Sequence, residues 1–153
     1  MSYLIVFFVS MMPLLELRAS IPVGYAAGIP WIPCMLISII GNFLPVPFIL
    51  LFIRVIFKWM KKIKFFEKII VWMETKAQKG SKKVLKYATF GLLIFVAIPI
   101  PGTGAWMGSL IAALLGMKLK YATASIFGGL IICSIIMTGV VYGFLDFLKF
   151  LVF

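Results

Sequence analysis

Apolar positions fill two long stretches of this chain, 3–57 and 87–145, and Lys recurs every few residues in the segment between them. Each stretch has the same layout. A broken apolar region (3–29; 87–116) leads through a short connector to an apolar stretch of about 25 residues (33–57; 121–145). At 1.5 Å per residue a helix needs ~20 residues to cross a hydrocarbon core ~30 Å thick. These latter stretches meet that length, but the pieces 3–13, 19–29 and 87–98 fall short. Pro13, Pro22, Pro99 and Pro101 stand where helix hydrogen bonds must be left open, so they read as structural breaks. The pattern predicts re-entrant helical hairpins, each followed by a spanning helix. The competing arrangement makes 3–29 and 87–116 full crossings, giving four spanning helices with both termini on the inside.

Shifting the second half back by 88 residues places Pro101 on Pro13, Gly116 on Gly28 and Gly129 on Gly41, with Leu92 and Phe95 on Leu4 and Phe7. This register suggests a duplication, a frequent origin of transporter folds. The chain then reads as one membrane domain over 1–153: a first repeat at 1–57, a linker at 58–86 and a second repeat at 87–153.

Charge sets the orientation. Eleven of the fifteen Lys and Arg residues lie between Arg54 and Lys86, as expected of a cytoplasmic loop under the positive-inside rule. A hairpin over 87–116 would return Lys118 and Lys120 to that same side. The first hairpin would open to the other side, where the 29–33 connector carries no Lys or Arg, so the two repeats come out inverted. Within the linker, Trp59, Ile63, Phe66, Ile70, Met73 and Ala77 recur at three- and four-residue spacing opposite Lys61, Lys64, Lys68, Thr75 and Lys79. That stripe predicts an amphipathic helix in the cytoplasmic interface, ended by Gly80. Asp146 and Lys149 close the last span as interface anchors.

Composition narrows the function classes. The chain has 153 residues, 64% hydrophobic and 12% charged, against roughly 25% charged in soluble domains. An all-α integral membrane protein of the plasma membrane, crossing it more than once, is expected. The amino terminus lacks the basic region of a cleaved signal, so the first apolar segment is expected to remain. Although the formal charge is +11, its clustering in one loop points to anionic lipid rather than nucleic acid. There is no His, and Cys34 and Cys133 have no metal-ligand spacing, which argues against metal sites, cofactors and the usual nucleophilic enzymes.

Two segments carry the candidate chemistry. Pro13-Leu-Leu-Glu-Leu-Arg18 places Glu16 and Arg18 among residues that read as bilayer core, where ionisable groups are functional by default. Glu16 can take up and release a proton as access alternates, making it the proton-coupling candidate. The fixed fork of donors on Arg18 suits a phosphate or carboxylate on a substrate; the alternative is a counter-ion for Glu16 reached through a break in the helix. The two are two residues apart, so on a helix they would diverge and are not expected to pair with each other. Gly102, Thr103 and Gly104 follow the Pro99-Ile-Pro101 break and resemble the exposed start of a half-helix, whose free N–H groups hold anions. Asn42, beside Gly41 and before Pro45 and Pro47, is expected to line the same cavity.

With Glu16-Leu-Arg-Ala-Ser-Ile-Pro22, Gly41-Asn-Phe-Leu-Pro45 and Ile98-Pro-Ile-Pro-Gly-Thr-Gly-Ala-Trp106 in view, the chain resembles the small multi-drug export protein family over essentially its whole length. It is distantly similar to the DedA membrane proteins as well. The first resemblance implies export or translocation; the second implies paired re-entrant hairpins and proton-dependent handling of lipid phosphates. By that likeness Glu16 stands for the membrane-embedded acid of the first hairpin. The arginine-bearing motif of the second is replaced here by Gly102-Thr-Gly104.

The expected function is a proton-coupled secondary transporter that exports or translocates a small amphipathic molecule or a lipid. The alternatives are a translocase of polyprenyl or phospholipid phosphates and a non-transporting membrane scaffold. Membrane lipids and the substrate are the expected partners. A homodimer or larger assembly is expected too, because one copy encloses only a thin cavity.

Overall fold

The computed structural model describes residues 1–60, 68, 71, 75, 82–144 and 146. Seven α-helices are seen among them: α1 (Ser2–Met11), α2 (Glu16–Ala26), α3 (Trp31–Phe43), α4 (Pro45–Met60), α5 (Lys82–Ala97), α6 (Ala105–Leu114) and α7 (Leu119–Thr138). A π-helical segment, Gly139–Phe144, continues α7. The expected amphipathic stripe from Ile63 to Ala77 lies outside the described residues, apart from single positions, as does Lys149. Helices enter the linker from both ends, α4 to Met60 and α5 from Lys82.

Two helical stretches are long and apolar enough to cross a bilayer, Trp31–Ile53 and Leu119–Gly143. They begin two residues before the expected spans, at the N-caps that end the two connectors. The first runs through Leu44, whose N–H donates to the Ile40 carbonyl, and so passes Pro45 without a break. At 10 residues α1 and α6 are ~15 Å long and α2 is little longer, about half of the hydrocarbon thickness. Pro22 does not act as a break. It lies inside α2, whose other bonds persist because Leu17, Ser20, Ile21 and Gly24 are buried around it. A proline in a helix interior costs about 3 kcal/mol, an amount such packing can offset. Pro13, Pro99 and Pro101 do fall in the breaks at 12–15 and 98–104.

The short helices pack against the long ones. The α1 and α2 helices lie against each other and both against α3, while α5 runs along α7 and α6 lies between α4, α5 and α7. Glycines permit the closest approaches. A Cβ on Gly41 of α3 would stand 2.8 Å from the Phe7 carbonyl oxygen, and one on Gly129 of α7 2.8 Å from that of Leu93. The core runs through Val6, Leu17, Ile21, Val96, Ala105, Ile126 and Leu130, all fully buried.

The ends of α2 and α6 share one hydrogen-bond pattern. Gly28 (φ +71°) and Gly116 (φ +63°) take the left-handed conformation, and their N–H groups donate at 3.0 Å to Tyr25 and Ala113. The next N–H groups, of Ile29 and Met117, reach back to Gly24 and Ala112, also at 3.0 Å. Both are Schellman caps with a buried apolar residue after the glycine. Each leads through one extended residue, Pro30 or Lys118, into the long helix. Every one of these positions recurs at an offset of 88 residues.

Candidate functional site

The breaks at 12–15 and 98–104 meet at the centre of the fold, where the tip between α1 and α2 faces the start of α6. Leu14 (φ +74°) and Glu16 (φ +51°) both adopt the left-handed conformation, which is unusual for non-glycine residues and costs of order 1–3 kcal/mol at each. Gly102, at φ +88°, makes the corresponding turn in the second break without that cost. The strained tip turns the Glu16 carboxylate away from α2 towards α6.

Glu16 is held from three sides. Its Oε2 accepts from Arg18 Nη1 at 2.7 Å and its Oε1 from the Trp106 N–H at 3.1 Å, with the Ala105 N–H also directed at the carboxylate. The expectation that Glu16 and Arg18 would diverge is corrected here. Divergence assumes regular helical angles at both residues, and Glu16 has left-handed ones. The N–H groups that meet the carboxylate at the start of α6 are those of Ala105 and Trp106, while the Thr103 N–H donates to the Ile100 carbonyl. Gly104 makes this possible, because a Cβ there would overlap the Glu16 carboxyl group.

Arg18 spans the two halves. Its Nη2 donates to the Ile98 carbonyl at 2.8 Å and to Thr103 Oγ1 at 2.9 Å, so it caps the open end of α5. Thr103 in turn shares its hydroxyl hydrogen between the carbonyls of Ile98 and Ile100, each 2.8 Å away. In the reciprocal direction Trp106 Nε1 donates to the Met11 carbonyl at the end of α1, at 3.1 Å. Side-chain exposure is 9% for Arg18 and 4% for Glu16, so this is a buried, charge-assisted network.

Asn42 is brought to the same level without joining the network. Gly24 faces Cys34 and Ser20 Oγ donates to Ser38 Oγ at 2.7 Å, which fixes α2 and α3 as antiparallel. One more turn along that register sets Asn42 opposite Glu16. The residue is fully buried, and neither its amide nitrogen nor its oxygen has a partner among the described residues. Trp106 was not singled out from the sequence, although it stands 88 residues after Arg18 and does the matching work of capping a broken helix. Among the described residues no three of Cys, Asp and Glu come together to form a metal site.

With this geometry established, residues 16–136 match the family described as putative small multi-drug export protein. The chain belongs to this family. The matched span opens on Glu16 itself and takes in Arg18, Asn42, the second break and most of α7. No curated protein and no solved structure matches the chain. Family membership, with two helices long and apolar enough to cross a bilayer, marks it as a membrane protein.

Proposed function

We propose that this member of the small multi-drug export family is a proton-coupled secondary transporter in the plasma membrane, with Glu16 as the coupling group. One observation carries the reading: a buried carboxylate joins two broken helices through hydrogen bonds that its charge strengthens. On protonation Glu16 no longer balances Arg18 and holds the start of α6 more weakly, which gives the two halves a reason to separate. Asn42, level with it and without a partner, offers donor and acceptor to a molecule entering there. The 88-residue recurrence of caps, left-handed turns and helix-capping side chains supports a pair of repeats. Transporters built from inverted repeats place their sites at such discontinuous helices.

The same geometry favours a second reading for the substrate. When Glu16 leaves, Arg18, Thr103 and the N–H groups of Ala105 and Trp106 form a ready anion site suited to a lipid phosphate. Reconstituted vesicles decide both points. Wild-type transport should vary with pH, while Glu16→Gln should lose proton dependence. Wild-type rates for Glu16→Gln across the pH range would refute coupling through Glu16. Competition by a phospholipid phosphate, but not by an organic cation, would assign the anionic substrate.

A further inference from the structure

Polar residues recur at four-residue spacing on the three helices that pack around the buried side of Glu16. On α3 they are Cys34, Ser38 and Asn42, and on α2 Glu16 and Ser20. On α7 they are Ser134 and Thr138, with Tyr142 a turn further in the π-helical extension. Residues four apart share one face of a helix. The α2 and α3 faces meet, since Ser20 Oγ donates to Ser38 Oγ at 2.7 Å and Cys34 Sγ lies 3.7 Å from the Ile21 carbonyl oxygen. The α7 face joins them at the outer end, where Tyr142 donates to the Ile29 carbonyl at 2.8 Å and its ring meets that of Tyr25 edge to face. Deeper in, Cys133 is within electrostatic reach of Glu16 and Arg18. A file of polar groups therefore runs from Glu16 to the end of α7 opposite Lys118, where the Tyr25 hydroxyl donates to the exposed Asp146.

The second repeat shows that the fold does not require this file. At the 88-residue offset the positions of Cys34, Ser38 and Asn42 are Ala122, Ile126 and Leu130, and that of Ser20 is Gly108, all buried. The buried serines of that half, Ser109 and Ser125, donate to carbonyls four residues back in their own helices. Apolar residues thus suffice at the equivalent helix contacts. In the first half, moreover, the file is incomplete. Asn42 is fully buried and Thr138 is 7% exposed, and neither the Asn42 amide nor the Thr138 hydroxyl has a partner among the described residues. Buried polar groups are normally satisfied, and ordered water serves those that the chain does not. Successive positions on one helix face are about 5–6 Å apart, two hydrogen-bond lengths, which is the gap one water bridges.

We propose that this file holds water and carries protons between Glu16 and the membrane surface at the 29–31 connector. The proposal rests on the reading of Glu16 as the coupling group and supplies the route by which its proton arrives. Lines of polar groups inside membrane proteins mark such routes. Each hydroxyl or water accepts a proton on one side and releases its own on the other, so one proton reaches the Glu16 carboxylate and nothing is oxidised or reduced. The Asn42 amide relays no proton itself; it holds the water that delivers one.

The test is infrared hydrogen–deuterium exchange of a single thiol, followed by its S–H stretch after lipid vesicles holding the full chain are moved into heavy water. With Cys34→Ser and Cys133→Ala as background, Asn42→Cys places the thiol at the inner end of the file and Leu130→Cys places it at the equivalent position of the other repeat. Exchange through unfolding would reach both alike, so the ratio of their rates reports the file. The Asn42→Cys thiol should exchange about tenfold faster or more than the Leu130→Cys thiol. Removing the hydroxyl link with Ser20→Ala and Ser38→Ala together should bring it down to the Leu130→Cys rate, whereas Ser38→Thr, which keeps a hydroxyl, should leave it fast. Equal rates at 42 and 130, or a rate at 42 that survives loss of both serines, would overturn the path whatever Glu16→Gln does to transport. Fast, serine-dependent exchange supports the path even where Glu16→Gln transports at the wild-type rate, a result that would refute coupling through Glu16 instead.

Discussion

At the residue scale the centre of the protein depends on one side chain fitting where another is missing. Gly104 leaves the volume that the Glu16 carboxyl group occupies, so Gly104→Ala should expel Glu16 from the start of α6. Overpacking of this kind costs ~1–3 kcal/mol, and thermal unfolding in detergent should show the loss together with loss of pH-dependent transport. Arg18→Gln leaves a buried carboxylate without its cation and should cost about 3 kcal/mol or more. Adding Glu16→Gln should restore part of that stability, because the uncompensated charge is then gone. Trp106→Phe removes one hydrogen bond to Met11 and should cost about 1 kcal/mol. Glu16, Arg18 and Thr103 were legible as candidates because polar residues in apolar surroundings stand out. Their pairing was not, since it depends on two left-handed backbone positions that neither Leu14 nor Glu16 announces.

At the scale of elements the short helices are defined by their ends. Gly28 and Gly116 each close a Schellman cap that aims the next long helix, and Ala at either position would be forced into a left-handed conformation. Each substitution should lower stability by about 1 kcal/mol, and the two effects should add because the caps are far apart. A thermal-unfolding series of both single variants and the double variant checks this. Gly41→Ala and Gly129→Ala should cost more, because a methyl group there meets a backbone carbonyl of α1 or α5 that cannot turn aside. The glycines and most of the breaks could be read from the sequence. Pro22 could not, since whether a proline ends a helix depends on the packing around it.

At the scale of the whole molecule, position 118 reports how the short helices sit in the bilayer. With re-entrant hairpins, Lys118→Cys should react with a membrane-impermeant thiol reagent from the same side as Lys86→Cys, and Pro30→Cys from the opposite side. With full crossings, positions 30 and 118 would react from one side together. Cys34 and Cys133 are buried, which keeps the background of such labelling low. The sequence by itself determined the class of protein, the two long apolar helices, the broken regions and the 88-residue register, because hydrophobic length and backbone punctuation are local properties. Only the tertiary structure decided that Glu16 pairs with Arg18, that Trp106 and Arg18 cap each other's halves, and that the polar faces of α2, α3 and α7 adjoin. Each of these depends on distances between residues tens of positions apart, which packing sets and local sequence does not record.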